Sequence, residues 1–223
     1  MEEKYWLDRW VREDIGFHQH EINPYLRQYW QVLNLSHASE VFVPLCGKSR
    51  DMLWLREQGY SVLGIELSMM AAQSFFEEND LQVCHQIYER FDCLEGDRIK
   101  ILCGDIFAIN RSDLVNIGAV YDRAALVALP PELRRKYVAH LLDVLPLGSK
   151  ILLIGFDYPQ SEMVGPPFAV SPDEVVSLYG RQATVCLLTQ INALEQNPSF
   201  RDRGLSCLQE SVYLITKDKV SIA

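Results

Sequence analysis

Short apolar runs alternate with longer helical patterns through most of this chain, and that alternation restricts its possible folds more than any other feature. "EVFVPL" reads as a buried strand, followed by "SRDMLWLREQG", a helix with Ser49 as N-cap and Gly59 as its stop. "YSVLGIE" is a second strand, and Ser68 caps the helix "MMAAQSFFEEN" that follows it. After a less regular stretch from Tyr88 to Gly96 come the strands "IKILCGD" and "GAVYD". The helix "PELRRKYVAHLLDVL" has Pro131 at a favoured first position, with Leu133, Tyr137, Leu141 and Leu145 four apart. "SKILLIGFDY" is a fifth strand, "SPDEVVSLYG" a helix with Ser171 and Glu174 spaced as a capping box, and "ATVCLLTQIN" and "CLQESVYLITKD" are two final strands. Alternating strands and helices imply parallel strands covered on both faces, because right-handed crossovers lay each helix against the sheet. The last two strands, joined by the polar "ALEQNPSFRDRG", pair as neighbours only if that connection turns back. The expected fold class is α/β, Rossmann-like, with a mostly parallel seven-stranded sheet and an antiparallel edge hairpin.

At 223 residues the chain can bury a core without covalent staples. A single domain over residues 1–223 is expected, with residues 1–35 as an N-terminal lid segment. Lys and Arg total 21 against 30 Asp and Glu, a net charge of −9. That leaves no electrostatic case for nucleic acid and favours a small-molecule partner. No window of about twenty apolar residues would span a bilayer, and the charged, aromatic "MEEKYWLDRWVREDIGFHQH" lacks the apolar core of a signal peptide. A cytoplasmic location with no membrane partner is expected, and nothing requires more than a monomer. The six cysteines include no C-x-x-C pair. They are expected to be reduced and buried, with neither disulfides nor zinc.

The turn in "VFVPLCGKSRDM" sits between the first strand and its helix, where nucleotide-binding loops are built. A phosphate-binding P-loop needs a glycine where this chain has Phe42, and a dinucleotide fingerprint needs three glycines where this turn has Gly47 alone. In such sheets ligands lie beyond the carboxyl ends of the strands. Glu66, ending the second strand, is placed to accept hydrogen bonds from an adenosine ribose; its alternative is a solvated acid at a helix start. Asp105 could accept from an adenine amino group while Ile106 covers the ring, or could simply cap the segment that follows. Arg123, flanked by the apolar "AALVAL", can orient an anionic ligand group, or form a surface pair with Asp122 worth little. Asp157 ends the fifth strand. Trp6 and Trp10 lie four apart on one helical face, with Phe17 beyond. Such a stripe is either core or a lid whose aromatic faces attract a cationic ligand and exclude water. His18 and His20 read as solvent-facing, and no metal is assigned.

"WLDRWVREDIGFHQ", "VFVPLCGKSRDMLWL", "GYSVLGIELS", "YDRAALVAL" and "GPPFAV" together resemble the thiopurine S-methyltransferase family of bacterial type, in order from about Tyr5 to Lys217. The resemblance implies a class I methyltransferase fold, S-adenosyl-L-methionine as methyl donor, and transfer to aromatic or heterocyclic thiols. It also permits reduced selenium or tellurium species as acceptors. It implies donor-binding roles for Trp10, Leu45, Glu66 and Arg123, an adenine-side pair in Asp105 and Ile106, and a substrate-side aromatic in Phe17. Arg123 could also hold the thiolate acceptor. Such thiols are acidic enough that no strong general base, and hence no catalytic side chain, is assigned. Two alternatives use the same sheet: a nicotinamide-dependent oxidoreductase, which the missing glycines disfavour, and a non-catalytic S-adenosylmethionine-binding protein.

Overall fold

The structure, a computed structural model, describes residues 3–36, 38–88 and 90–218. Met1 and Glu2 of the expected lid, and residues 37, 89 and 219–223 of the expected domain, lie outside the described residues. The chain divides into two compact units, Met1–Tyr121 and Asp122–Ala223.

The first unit opens with helices α1 (Glu3–Val11) and α2 (Pro24–Tyr29) and a 3₁₀ turn, Trp30–Leu33. There follow β1 (Glu40–Pro44), α3 (Asp51–Glu57), β2 (Ser61–Glu66), α4 (Met69–Glu78), β3 (Cys84–Ile87), β4 (Asp92–Gly96) and β5 (Ile99–Cys103). A second 3₁₀ turn, Ile106–Ala108, precedes β6 (Ile117–Arg123). Strand β1 runs parallel to β2, with Val43 opposite Gly64, and parallel to β6, with Phe42 opposite Val120. Strand β2 runs parallel to β5. Val41, Phe42, Val43, Ile65, Ile99 and Ile101 are all buried, the continuous apolar run expected of strands covered on both faces. Helix α4 buries Ala71, Ala72, Phe75 and Phe76, the i, i+3, i+4 stripe of an amphipathic helix. Each phenylalanine withdrawn from water contributes about 1.5–3 kcal/mol.

The second unit contains α5 (Ala125–Ala128), α6 (Pro131–Val144), β7 (Lys150–Asp157), a 3₁₀ turn (Gln160–Glu162) and α7 (Pro172–Tyr179). It ends with β8 (Ala183–Asn192), α8 (Pro198–Asp202) and β9 (Gln209–Lys217). Strand β9 is antiparallel to both β7 and β8, so the expected terminal hairpin forms.

Among the described residues the strand order is β3-β4-β5-β2-β1-β6-β7-β9-β8, nine strands rather than the seven expected. The two missed strands, β3 and β4, pair antiparallel with each other, and β4 with β5. All four residues of β3 are exposed, so it carries no apolar alternation to signal a strand. Other expectations also shift. Helix α3 begins at Asp51, and Ser49 Oγ accepts that residue's N–H from outside the helix at 3.3 Å. Ser68 and Ser171 cap α4 and α7 through Ala71 N and Glu174 N, but the Glu174 carboxylate pairs with Arg134 of α6. All six cysteines are free, yet only Cys46 and Cys93 are buried. Cys84 and Cys186 are exposed because they lie on the two edge strands, β3 and β8. No helix among the described residues is long and apolar enough to cross a membrane.

Candidate functional site

The chain leaves β1 to build β2 and β5 on one side, then returns to build β6 on the other, so strand order reverses at β1. That is where an open parallel sheet forms its ligand crevice. The turn leaving β1 is strained. Leu45 has φ 47° and Gly47 φ 53°, both left-handed, and for the leucine this costs on the order of 1–3 kcal/mol. Bonds to β2 and within the turn hold it. Cys46 N donates to Ile65 O at 3.0 Å, and Ser49 N donates to Cys46 O at 3.1 Å. Gly47 N donates to Glu66 Oε2 at 2.8 Å.

Glu66 is buried at the end of β2, and its other oxygen, Oε1, accepts from Ser68 N at 2.8 Å. Burial pushes its pKa above the ordinary carboxylate value, against the opposing pull of the Ser68, Gly47 and Leu67 N–H groups. The end of β5 joins the same cluster through Gly104 N, which donates to Glu66 O at 2.9 Å. Next in sequence, Asp105 caps the 3₁₀ turn, its Oδ1 accepting Phe107 N at 3.0 Å, while Ile106 is buried. The capping alternative for Asp105 is therefore real geometry. The residue remains exposed.

Trp10 meets the turn directly. A Cβ added at Gly47 would lie 3.1 Å from Trp10 Cζ2, so the glycine is required by contact as well as by its φ. Phe17 stands edge-on to both Trp10, at 5.5 Å between centroids, and Trp6, at 5.8 Å. The Arg9 guanidinium lies 5.4 Å from the Phe17 ring centre and 5.9 Å from that of Trp6. It is held there by bonds to Asp14 O at 2.8 Å and Asp14 Oδ1 at 3.0 Å. The segment is moored to α3 at its far end. Arg50 Nη1 donates to His20 O at 3.0 Å, and the buried Asp51 accepts Asn23 N at 2.8 Å and the Tyr121 hydroxyl at 2.9 Å. His18 and His20 stack edge-on at 5.1 Å. No group of three or more His, Cys, Asp or Glu suited to a metal occurs among the described residues.

The first unit thus brings Trp6, Trp10, Phe17, Leu45, Glu66, Asp105 and Ile106 to the turn and the adjoining strand ends. Arg9 and Asp51 were not among the expected site residues: nothing local sets Arg9 apart from other charges on α1, or Asp51 from an ordinary acid in the first turn of α3. Cys46 and Cys103 also flank the cluster. Burial pushes the Cys103 thiol up to about 12 and Cys46 well above its ordinary value, so both stay protonated and inert.

Arg123 ends β6 and belongs to the second unit. The alternative of a surface ion pair with Asp122 fails, because Asp122 is fully buried with both oxygens accepting bonds from Leu126 N and the Tyr137 hydroxyl. Asp157, ending β7, has its pKa raised by burial, with the Glu174 charge adding to the effect.

A model of the family described as Thiopurine S-methyltransferase (TPMT) matches residues 1–218. A thiopurine S-methyltransferase of Nitrosospira multiformis is 56% identical over 215 residues, covering 96% of this chain and 98% of that protein. The thiopurine S-methyltransferase of Azotobacter vinelandii is 45% identical over 217 residues, covering 97% and 100%. Among solved structures, the Burkholderia thailandensis 1,6-didemethyltoxoflavin-N1-methyltransferase, with bound 1,6-didemethyltoxoflavin and S-adenosylhomocysteine, superposes with a TM-score of 0.64 at 13% identity, covering 97% of this chain and 87% of that one. A SAM-dependent methyltransferase of Methanosarcina mazei gives 0.63 at 14% identity, covering 90% and 100%. These two likenesses establish the class I methyltransferase fold, and the full-length family match and close bacterial relatives establish more: the chain belongs to the thiopurine S-methyltransferase family.

Proposed function

We propose that the protein transfers a methyl group from S-adenosyl-L-methionine to the sulfur of small aromatic or heterocyclic thiols of the thiopurine type. The observation that carries the reading is the Glu66 carboxylate, buried at the end of β2 and bonded to Gly47 N in a turn that packs under Trp10. The residues fit the donor. Glu66 offers acceptors to a ribose diol, Leu45 and Ile106 offer apolar surface to the adenosine, and Asp105 lies at the adenine side. Trp6 and Trp10 offer aromatic faces to a cationic sulfonium centre. When bound, the donor supplies an already activated methyl on a positively charged sulfur.

The chain's own task is then to position the acceptor and exclude water. Phe17, wedged between Trp6 and Trp10, forms the acceptor-side wall of a lid drawn from the first 35 residues. The acceptor thiolate and the sulfonium neutralise each other as the reaction proceeds, so a site poor in water favours it. Arg123 holds the anionic sulfur, with its guanidinium as the fork. No side chain is needed as a general base, since the acceptor ionises near neutral pH. Small thiols and reduced selenium or tellurium species belong to the same acceptor chemistry. The chain works as one domain, in the cytoplasm, as a monomer and without a nucleic-acid partner.

The test is a panel of acceptors with radiolabelled donor held constant, paired with calorimetric titration of S-adenosylhomocysteine and, separately, NAD. Saturable S-adenosylhomocysteine binding and label transfer to an aromatic thiol are expected. Binding of NAD alone would favour the oxidoreductase, and donor binding without transfer to any acceptor would leave a binding protein.

A further inference from the structure

Asp122 precedes Arg123 in β6, and none of the roles above uses it. Its side chain is fully buried, yet both oxygens are engaged. Oδ1 accepts Leu126 N at 3.1 Å, and Oδ2 accepts the Tyr137 hydroxyl at 2.7 Å. Between Asp122 and Leu126 the chain must leave the strand and start α5, and it does so with Ala124 at φ 75°, a conformation alanine seldom adopts. The Asp122 carboxylate closes that turn, and α6 holds the carboxylate through Tyr137, itself fully buried.

A buried carboxylate is a costly way to close a turn. Burial raises the Asp122 pKa to about 6 even though Tyr137, Leu126 and Ala125 all donate to it. An amide oxygen could accept the Leu126 bond, but its NH2 would have to reverse the other bond and donate to the Tyr137 hydroxyl. What only the carboxylate offers is acceptance on both oxygens, so that the turn and α6 are gripped by one side chain. The titratable groups acting on it are Tyr137 from α6 and Tyr179 from α7. Burial holds both phenols well above their ordinary pKa, and they remain neutral.

We propose that Asp122 and Tyr137 are positioning residues for Arg123, fixing the turn from which its guanidinium meets the acceptor. The inference rests on the reading of Arg123 as the acceptor-holding cation, and the experiment separates the two. Tyr137→Phe, Arg123→Ala and the double variant are compared in the full chain, with 6-mercaptopurine as acceptor at saturating donor. Tyr137→Phe is expected to lower kcat/KM about fivefold or more. It should move the acid limb of the pH profile upward, because one of the bonds favouring ionised Asp122 is gone. In the Arg123→Ala background the same change should alter kcat/KM by less than about twofold, the non-additivity of residues acting as a unit. Asp122→Asn, which keeps the shape, is the second variant and should show the same loss and the same dependence on Arg123. Wild-type kinetics in either Tyr137→Phe or Asp122→Asn would overturn the proposal, as would an equal loss with and without Arg123. Wild-type kinetics in Arg123→Ala would instead sink the reading of Arg123 itself.

Discussion

Asp122→Asn should make the protein more stable at neutral and alkaline pH, and the size of the effect follows from burial. The folded-state pKa is about 6 against an ordinary 3.8, a rise of about two units. At about 1.4 kcal/mol per unit, the ionised carboxylate costs the folded state roughly 3 kcal/mol relative to its protonated form. Because the folded pKa is raised, the fold binds the proton more tightly than the unfolded chain does. The penalty is therefore fully present above about pH 6, and is relieved as pH falls through 6 towards 3.8. At pH 5 most folded molecules hold the proton and few unfolded chains do, so the wild type gains on the order of 1 kcal/mol from this group between pH 8 and pH 5. Asparagine has nothing to titrate. Other carboxylates, the buried Glu66 and the half-buried Asp157 among them, also have raised pKa values, so the quantity to read is the difference between the two proteins. Urea denaturation at pH 8 and pH 5 should show the variant's advantage shrinking by on the order of 1 kcal/mol at the lower pH. Parallel pH dependences for the two proteins would refute the reasoning, because they would mean that Asp122 does not titrate in this window.

Gly47→Ala forces a Cβ into a left-handed turn and to within 3.1 Å of Trp10. It should cost about 1–2 kcal/mol of stability in urea denaturation and weaken S-adenosylhomocysteine binding in the same preparation. Trp10→Ala should lower donor affinity in calorimetry by more than its loss of thermal stability explains, and unchanged affinity would make Trp10 core only. Arg123→Lys keeps the charge but loses the planar fork, and should reduce kcat/KM for an aromatic thiol about tenfold, about 1.4 kcal/mol, with the melting temperature unchanged.

The central strands and their helices were legible because burial on both faces writes itself as uninterrupted apolar runs, and because Ser68, Pro131 and Ser171 mark helix starts with chemistry that acts locally. Strand β3 was not, since an exposed edge strand needs neither apolar alternation nor any local signal, only an edge to pair with, and β4 buries just Cys93 and Leu94, too short a run to stand out. The site divides the same way. Glu66 was found from its position at a strand end. That its carboxylate stitches the Gly47 turn to α4 was invisible, because bonds from side chain to distant backbone leave no periodicity. Asp51 and Asp122 illustrate the same limit. Each is an acid next to a helix start, where sequence suggests a solvated charge, and each is instead buried and spent on a tyrosine hydroxyl remote in sequence.

That stitching also explains how a strand-to-helix turn with one glycine can serve an adenosine ligand without serving a phosphate. A phosphate loop leaves its backbone N–H groups aimed at the ligand, so the site presents donors to an anion. Here Gly47 N and Ser68 N are both turned inward onto Glu66, one to each oxygen. The donors are consumed by the protein, and what the cluster can still present is the unused acceptor capacity of an anionic carboxylate. An acceptor-presenting site with aromatic faces above it suits hydroxyl donors and a positive centre, which a sulfonium nucleoside carries. It repels a pyrophosphate held at the same turn. The polarity of the hydrogen bonds at Glu66 therefore disfavours a dinucleotide on grounds independent of the glycine count, and does so through the same residue that made the dinucleotide reading attractive.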